Sequence, residues 1–246
     1  MLAARGVRKE FGAVTAADDL NIEIPSGSVC SLIGSNGAGK TTFVNMVSGY
    51  IRPDAGVIEY QGRNIVGLSP RAITRLGIHR SFQIAQLCND LTTLDNMAIA
   101  QTIADEAGAS FFRPAQARHR LEAAGAELAR FGIADFADRP VTELPGGVKK
   151  LLDIAMAMAG APGVMMLDEP TSGVAADEKF PIMDKVMQVL SDSGVTVLFV
   201  EHDMEIVTRY ASRVLAFYAG RIIADDPPDR VLADPQVQRY VTGLAP

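Results

Sequence analysis

Hydrophobic residues fall into two patterns along this chain, short uninterrupted runs and helical stripes. Up to about residue 27 the apolar positions alternate or cluster briefly, as strands do, and the stretch ends in the turn-forming "PSGS". Residues 29–33 predict a short buried strand, and from Thr41 onward the apolar positions Phe43, Val44 and Val47 predict a helix. "AGVIEYQGRNIVG" predicts a hairpin turning at Gln61-Gly62-Arg63-Asn64. Residues 164–167 and 195–200 are further apolar runs, suited to strands of a parallel sheet buried on both faces.

Between residues 89 and 156 the periodicity changes to that of helices. Ala117, Leu121, Ala124, Leu128 and Phe131 recur at steps of four and three, a core-facing stripe, and Pro114 suits a first helical turn. Near the end of this region "TELPGGVKKLLDIAMAMA" runs from a proline-glycine-glycine step directly into an apolar helix. Two glycines at a helix N-terminus leave a backbone bare enough for an anion to come close. The methionines and alanines of "DIAMAMAGAPGVMML" predict adaptable core, and "DDPPDR" a solvated turn.

Composition narrows the class. At 246 residues, 48% hydrophobic and 21% charged, this is the size and make-up of one large globular domain, or a domain with a sizeable insertion. A net charge of −6 argues against a nucleic-acid surface. Cys30 and Cys88 make no disulfide or metal pattern, which points to a reducing compartment, with Cys30 as a buried small hydrophobe. With no signal-peptide core at its start and no run of ~18 apolar residues, a cytoplasmic protein is expected. Any membrane role would come through a partner.

The chemistry is concentrated between the first buried strand and the helix after it. Gly34, Gly39, Lys40 and Thr41 fill every fixed position of G-x-x-x-x-G-K-[ST]. The glycines let successive N–H groups turn toward a polyphosphate, assisted by the helix dipole. Lys40 is expected at the outer phosphates and the Thr41 hydroxyl on Mg²⁺. Asp168 and Glu169 end the 164–167 run, placing two carboxylates at the strand edge where α/β sheets bind ligands. Asp168 suits water-mediated Mg²⁺ binding and Glu169 suits polarising an attacking water. The 195–200 run ends in Glu201-His202-Asp203, where the imidazole of His202 can donate to a γ-phosphate. His79 and His119 are expected to be surface or packing residues.

Taken in order, these motifs resemble the ATPase subunit of ABC transporters. "RSFQIAQL" places Gln83 at that family's Q-loop, "LPGGV" stands at its signature, and Phe11 falls where an aromatic ring stacks on adenine. The resemblance covers the whole chain. Through "FGAVTAADDLNIEI", "RSFQ", "LTTLDNMAIA", "VEHDMEIV" and the tail "ADPQVQRYVTG" it is nearest to ATPases of branched-chain amino-acid-type importers, the hydrophobic amino acid uptake group.

The resemblance implies an α/β fold: a P-loop NTPase (RecA-like) core with an N-terminal antiparallel β subdomain and an inserted helical subdomain. Residues 1–88 and 157–246 would form the core with its β subdomain, and 89–156 the helical insertion. It implies ATP and Mg²⁺ as ligands, with Gly34, Ser35, Asn36, Gly37, Ala38, Gly39, Lys40, Thr41 and Thr42 around the phosphates. Gln83 would join Thr41 and Asp168 near the metal, and Glu169 and His202 would be catalytic. Pro145, Gly146 and Gly147 would face the nucleotide of a second ATPase subunit in a head-to-tail dimer. Membrane permease subunits, and indirectly a solute-binding protein, would complete an importer of amino acids or similar small solutes, docked on the inner face of the cell membrane. The other reading is a soluble ABC-type ATPase acting on ribosomes or nucleic acid. A P-loop kinase or GTPase lacks support, since no N-K-x-D sequence is present.

The chain also departs from the family pattern. Pro145 stands for the signature serine, Val148 for its glutamine, and Ala175-Ala176 for the Asp or Asn-Pro of the D-loop. These departures lead to the expectation of a heterodimer with one strong and one weak hydrolytic site.

Overall fold

A computed structural model of the chain describes residues 1–81, 87–105 and 118–243. Gln83, Pro114 and Ala117 lie outside the described residues. The chain opens with β1 (Leu2–Phe11) and β2 (Val14–Ile24), continues through β3 (Val29–Gly34) into α1 (Lys40–Val47), and returns as β4 (Ala55–Tyr60) and β5 (Arg63–Asn64). β1 and β2 match the strand pattern read up to about residue 27. In β1, Leu2, Ala4 and Val7 point inward, and β2 matches with Leu20, Ile22 and Ile24. The resulting antiparallel sheet has the order β2-β1-β4-β5.

The expected hairpin is present, but its turn is tighter than the sequence suggests. Tyr60 pairs with Arg63, so only Gln61 and Gly62 form the loop, at φ of 51° and 78°. Two positive φ values match the twist of the flanking strands, and Arg63 and Asn64 are thereby drawn into strand pairing.

After α2 (Pro70–Arg75) and β6 (Ile78–Ser81) come α3 (Thr93–Ala104), α4 (Arg118–Arg130) and α5 (Gly146–Met158). The predicted stripe is the buried side of α4: Ala124, Leu128 and the following Phe131 are fully buried. The remaining elements alternate: β7 (Val164–Asp168), α6 (Lys179–Asp192), β8 (Thr196–Val200), α7 (Met204–Tyr210), β9 (Arg213–Tyr218), β10 (Arg221–Asp226) and α8 (Pro228–Ala233). "DDPPDR" is therefore a strand end and a helix start rather than a turn. Asp225 is held in β10 by both arms of Arg213, at 2.5 and 2.6 Å, and Pro228 opens α8. The tail returns to the sheet, where Tyr240 stacks on Tyr218 at 4.4 Å between ring centroids.

The second sheet has the order β10-β9-β3-β8-β7-β6, parallel except for β10. Both faces are buried, as uninterrupted apolar runs require. Cys30, Leu32, Leu198, Val200 and Phe217 face α1 and the antiparallel sheet. Ile33, Met165, Leu167, Val197 and Phe199 face the helices on the other side. Burial pushes the Cys30 thiol up to about 12, so it behaves as the small hydrophobe its setting suggested.

One polar side chain inside the helical layer secures the approach to it. Asn96 is fully buried on α3; its Oδ1 accepts from Cys88 N at 2.8 Å, and its Nδ2 donates to Cys88 O at 3.1 Å and Thr92 O at 2.9 Å. Removing that amide takes the acceptor from Cys88 N and one of two donors each from Cys88 O and Thr92 O, at about 1–3 kcal/mol in total. Asn96→Ala is expected to lower stability by that amount in urea denaturation with an unchanged denaturant slope. Wild-type stability would show that water replaces the amide.

Candidate functional site

The phosphate-loop glycines are dictated by neighbouring backbone. Gly34 ends β3 at φ +151°, and a Cβ there would lie 2.4 Å from Phe217 O of β9. Gly39 precedes α1 at φ +109°, and a Cβ there would lie 2.3 Å from Ala16 O of β2. The loop is thus wedged between one strand of each sheet. Gly220 N donates to Ala38 O at 3.0 Å and fixes the wedge from the β9–β10 turn. Ser35, Asn36, Gly37 and Thr41 remain exposed, Thr42 is half-buried, and Ala38 and Lys40 are buried.

Lys40 lies back along its own loop. Its Nζ donates to Gly34 O at 2.6 Å and Ser35 O at 3.0 Å. Burial pulls the ammonium below the usual lysine range, while Glu169 and Asp168 oppose that pull. The positive charge is held where a polyphosphate would enter.

Asp168 ends β7 and Glu169 follows it, and the two separate at once into different surroundings. Asp168 is buried, and its Oδ2 accepts from Arg80 Nη2 at 2.7 Å. Glu169 is half-buried and takes the left-handed conformation at φ 47°, which is costly for a residue other than glycine. That geometry is pinned, since Glu169 N donates to Val200 O and its own carbonyl accepts from Ser172 N, both at 3.0 Å. It turns the side chain toward His202, whose Nε2 lies 3.4 Å from Glu169 Oε1. Lys40, Asp168, Glu169 and His202 thus meet at the C-terminal edges of the neighbouring strands β3, β7 and β8.

Three charged residues of this region escaped the sequence reading. Arg80 on β6 has an 8% exposed side chain and reaches Asp168, Asn45 Oδ1 at 2.6 Å and Ser48 Oγ at 3.3 Å. Glu201 is buried, and its carboxylate accepts from Thr171 N at 3.1 Å, Thr171 Oγ1 at 2.7 Å and His202 N at 3.1 Å. It bolts the segment after Glu169 to the one carrying His202. Lys150 on α5 is buried; burial lowers its pKa, opposed by Asp153, Asp168, Glu201 and Glu169. One turn on, Asp153 accepts from Ser81 Oγ of β6 at 2.5 Å, which fastens α5 to the sheet. His79 is a packing residue, with Nδ1 2.7 Å from Ala157 O.

The proline-glycine-glycine step does begin a helix. Pro145 occupies the N-cap of α5 without a side-chain hydrogen bond, as its lack of a hydroxyl dictates. Pro145 and Gly146 are exposed, and the first-turn amides of Gly146, Gly147 and Val148 have no intrahelical acceptors. Gly147 also has a packing reason to be glycine, because a Cβ there would lie 2.5 Å from Ile182 Cδ1 of α6. Phe11 ends β1 as an exposed residue, with Lys9 Nζ 5.2 Å from its ring centroid.

Among the described residues no group of three His, Cys, Asp or Glu side chains forms a metal cage. Mg²⁺ bound with a nucleotide needs none, because it keeps waters and takes phosphate oxygens with one or two protein ligands. The exposed Thr41 hydroxyl and the single carboxylate of Asp168 fit that requirement. No helix among the described residues is long and apolar enough to cross a membrane.

Comparison with known proteins agrees with this geometry. The family model described as ABC transporter matches residues 17–172. The high-affinity branched-chain amino acid transport ATP-binding protein LivG of Salmonella typhimurium is 31% identical over 252 residues, covering 100% of this chain and 98% of the relative. BraF of Pseudomonas aeruginosa, of the same description, is 31% identical over the same shares. A crystal structure of the ADP conformation of an ATP-binding cassette of an ABC transporter superposes with a TM-score of 0.87 at 30% identity, covering 97% of each chain. A nucleotide-free cassette gives 0.86 at 29%, covering 96% of each. The expected P-loop NTPase fold is therefore the fold of this chain, and the match over its whole length places it in the ABC transporter family, as an ATP-binding cassette that hydrolyses ATP.

Proposed function

We propose that this cassette energises an importer of branched-chain amino acids or similar small organic solutes, from the cytoplasmic face of a membrane. The relatives' transport role and full-length identity support that reading, as does the net charge of −6, which suits neither ribosome nor nucleic acid. Residues 89–156 would be its helical subdomain, inserted into a core of 1–88 and 157–246. Permease subunits would bind it, with Gln83 at that junction, and a solute-binding protein would deliver the solute to them.

The observation that carries the hydrolytic assignment is the meeting of Lys40, Asp168, Glu169 and His202 at one sheet edge, with His202 Nε2 3.4 Å from Glu169 Oε1. Phe11 offers an exposed ring for adenine, and the loop from Gly34 to Thr42 offers amides and the Lys40 ammonium for the phosphates. Thr41 and Asp168, with Gln83, would hold Mg²⁺, which supplies charge neutralisation at the β- and γ-phosphates. Glu169 accepts a proton from the attacking water. His202 orients that carboxylate and donates to the γ-phosphate.

Glu169→Gln should preserve ATP binding and lower turnover at least ~10²-fold in the assembled complex, as the loss of a general base does. Near-normal hydrolysis by that variant would remove Glu169 from the mechanism. Lys40→Ala should weaken nucleotide binding by at least about tenfold, the equivalent of one charged hydrogen bond. Unchanged affinity in a fluorescent-nucleotide titration would mean that the loop holds phosphate without it.

The missing cap hydroxyl at Pro145 favours an asymmetric dimer. In a head-to-tail pair, α5 of this chain would face the partner's nucleotide, while this chain's residues act against the partner's signature. A heterodimer with one strong site and one weak site follows. With Glu169→Gln in this chain, so that only the partner's site turns over, Pro145→Ser should raise single-turnover hydrolysis, by up to ~10²-fold if the hydroxyl supplies one transition-state donor. An unchanged rate, or full activity from a homodimer of this chain, would end the asymmetry reading.

A further inference from the structure

Asp168 does not stand alone at the end of β7. The Arg80–Asp168 pair is almost wholly inside the protein, with side chains 8% and 11% exposed. Arg80 is level with Met166 in the β6–β7 ladder, and residues two apart on a strand share a face, so Arg80 and Asp168 emerge on the same side. That side carries α1. While Nη2 donates to Asp168 Oδ2 at 2.7 Å, Nη1 donates to Asn45 Oδ1 at 2.6 Å and Ser48 Oγ at 3.3 Å. Helical spacing sets Asn45 one turn beyond Thr41 on α1, and Ser48, the C-cap of that helix, about one turn further along the same side. One planar guanidinium therefore joins the strand that carries Asp168 to the helix that carries Thr41.

We propose that Arg80 is a positioning residue for magnesium. By gripping Asp168 and α1 on two arms of one rigid fork, it sets the separation of the Asp168 carboxylate from the Thr41 hydroxyl, and with it the affinity for Mg²⁺ in the nucleotide complex. This rests on the reading that Thr41 and Asp168 hold the metal. A lysine keeps the charge but has no fork, so it cannot replace the two-sided grip. Charge alone makes the opposite demand, because a cation beside a metal site repels the metal. Positioning and simple charge balance thus predict different signs when Arg80 is changed.

The test titrates Mg²⁺ against the full chain and follows the binding of a fluorescent ADP analogue, so that no turnover is required. Arg80→Lys retains the charge and Arg80→Gln removes it. Both are expected to need ~10–100-fold more Mg²⁺ to reach half its effect, as the loss of a residue behind a metal ligand typically does. Their ADP affinity in EDTA should match wild type. An Arg80→Lys titration that overlays wild type, or an Arg80→Gln titration shifted to lower Mg²⁺, would reduce Arg80 to a counterion. A lowered denaturation midpoint with no shift in the Mg²⁺ titration would reduce it to a structural ion pair. Should neither variant fold, Asn45→Ala decides, because it removes one anchor and leaves every charge in place. It is expected to shift the titration in the same direction, and an unshifted one overturns the proposal. Asp168→Ala keeps the two readings apart. A wild-type titration there would sink the metal assignment itself, whereas a lost Mg²⁺ response with unshifted Arg80 variants would sink only the role of Arg80.

Discussion

Leu32, Val200 and Asp168 lie level on three adjacent parallel strands, and the site depends on that row. Leu32 pairs with Val200 in the β3–β8 ladder, and Val200 pairs with Asp168 in the β7–β8 ladder. Two residues beyond the row β3 ends at Gly34, His202 stands two residues past the end of β8, and Glu169 stands one past the end of β7. Side chains alternate along a strand, so a slip of one residue in either ladder would turn every core side chain of that strand to the wrong face. Each face packs against a different layer, so a slip would exchange side chains fitted to one layer with those fitted to the other. The packing that folds the sheet is therefore also what aligns the phosphate loop, the carboxylates and the imidazole.

Charge imposes the second constraint. Lys40, Lys150, Asp168 and Glu201 are buried near one another, with the Arg80 side chain almost wholly enclosed beside them, and an isolated charge in such a place would cost several kcal/mol. They persist because they have been given specific partners: loop carbonyls for Lys40, the Asp168 carboxylate and the Asn45 and Ser48 side chains for Arg80, the Thr171 amide and hydroxyl for Glu201. Burial without pairing would neutralise these groups, and a neutral lysine has little hold on phosphate. The same network explains how Glu169 keeps a backbone conformation that its side chain disfavours. Glu201 holds Thr171 on one side, and Val200 O accepts from the Glu169 amide on the other.

This also marks what could be read in the sequence. The loop was legible because its glycines and lysine stand at fixed spacing, and the strands were legible because four or five consecutive apolar residues admit few alternatives. Arg80 and Glu201 were not, because a single charge beside a strand looks solvated until its partners from distant segments are known. Lys150 did carry a signal. It falls in the apolar register of α5 with Gly147, Leu151, Ile154 and Met158, and a charge at such a spacing points inward. The left-handed backbone of Glu169 had no signal, since it arises from hydrogen bonds to Val200 and Ser172 rather than from any glycine. The two-residue turn at Gln61-Gly62 was misplaced because polar Arg63 and Asn64 read as loop, although the ladder to β4 claims them as strand.

The turn at residues 145–147 shows why a motif's letters have to be weighed one at a time. A Cβ at Gly147 would press on Ile182 Cδ1, so the packing of α5 on α6 supplies one reason for this glycine whatever ligand the turn meets. Gly146 is less constrained, with the nearest obstruction to a side chain being Gly173 O at 3.3 Å. The position whose side chain could either cap α5 or meet a ligand is residue 145, and that is the one that departs. A serine there would accept from a first-turn amide of α5 or donate to a phosphate; proline does neither. Pro145 gives up the roughly 1 kcal/mol of capping that a serine would supply, yet α5 still forms behind it. In the proposed head-to-tail dimer, the departure at Pro145 would bear on the partner's nucleotide.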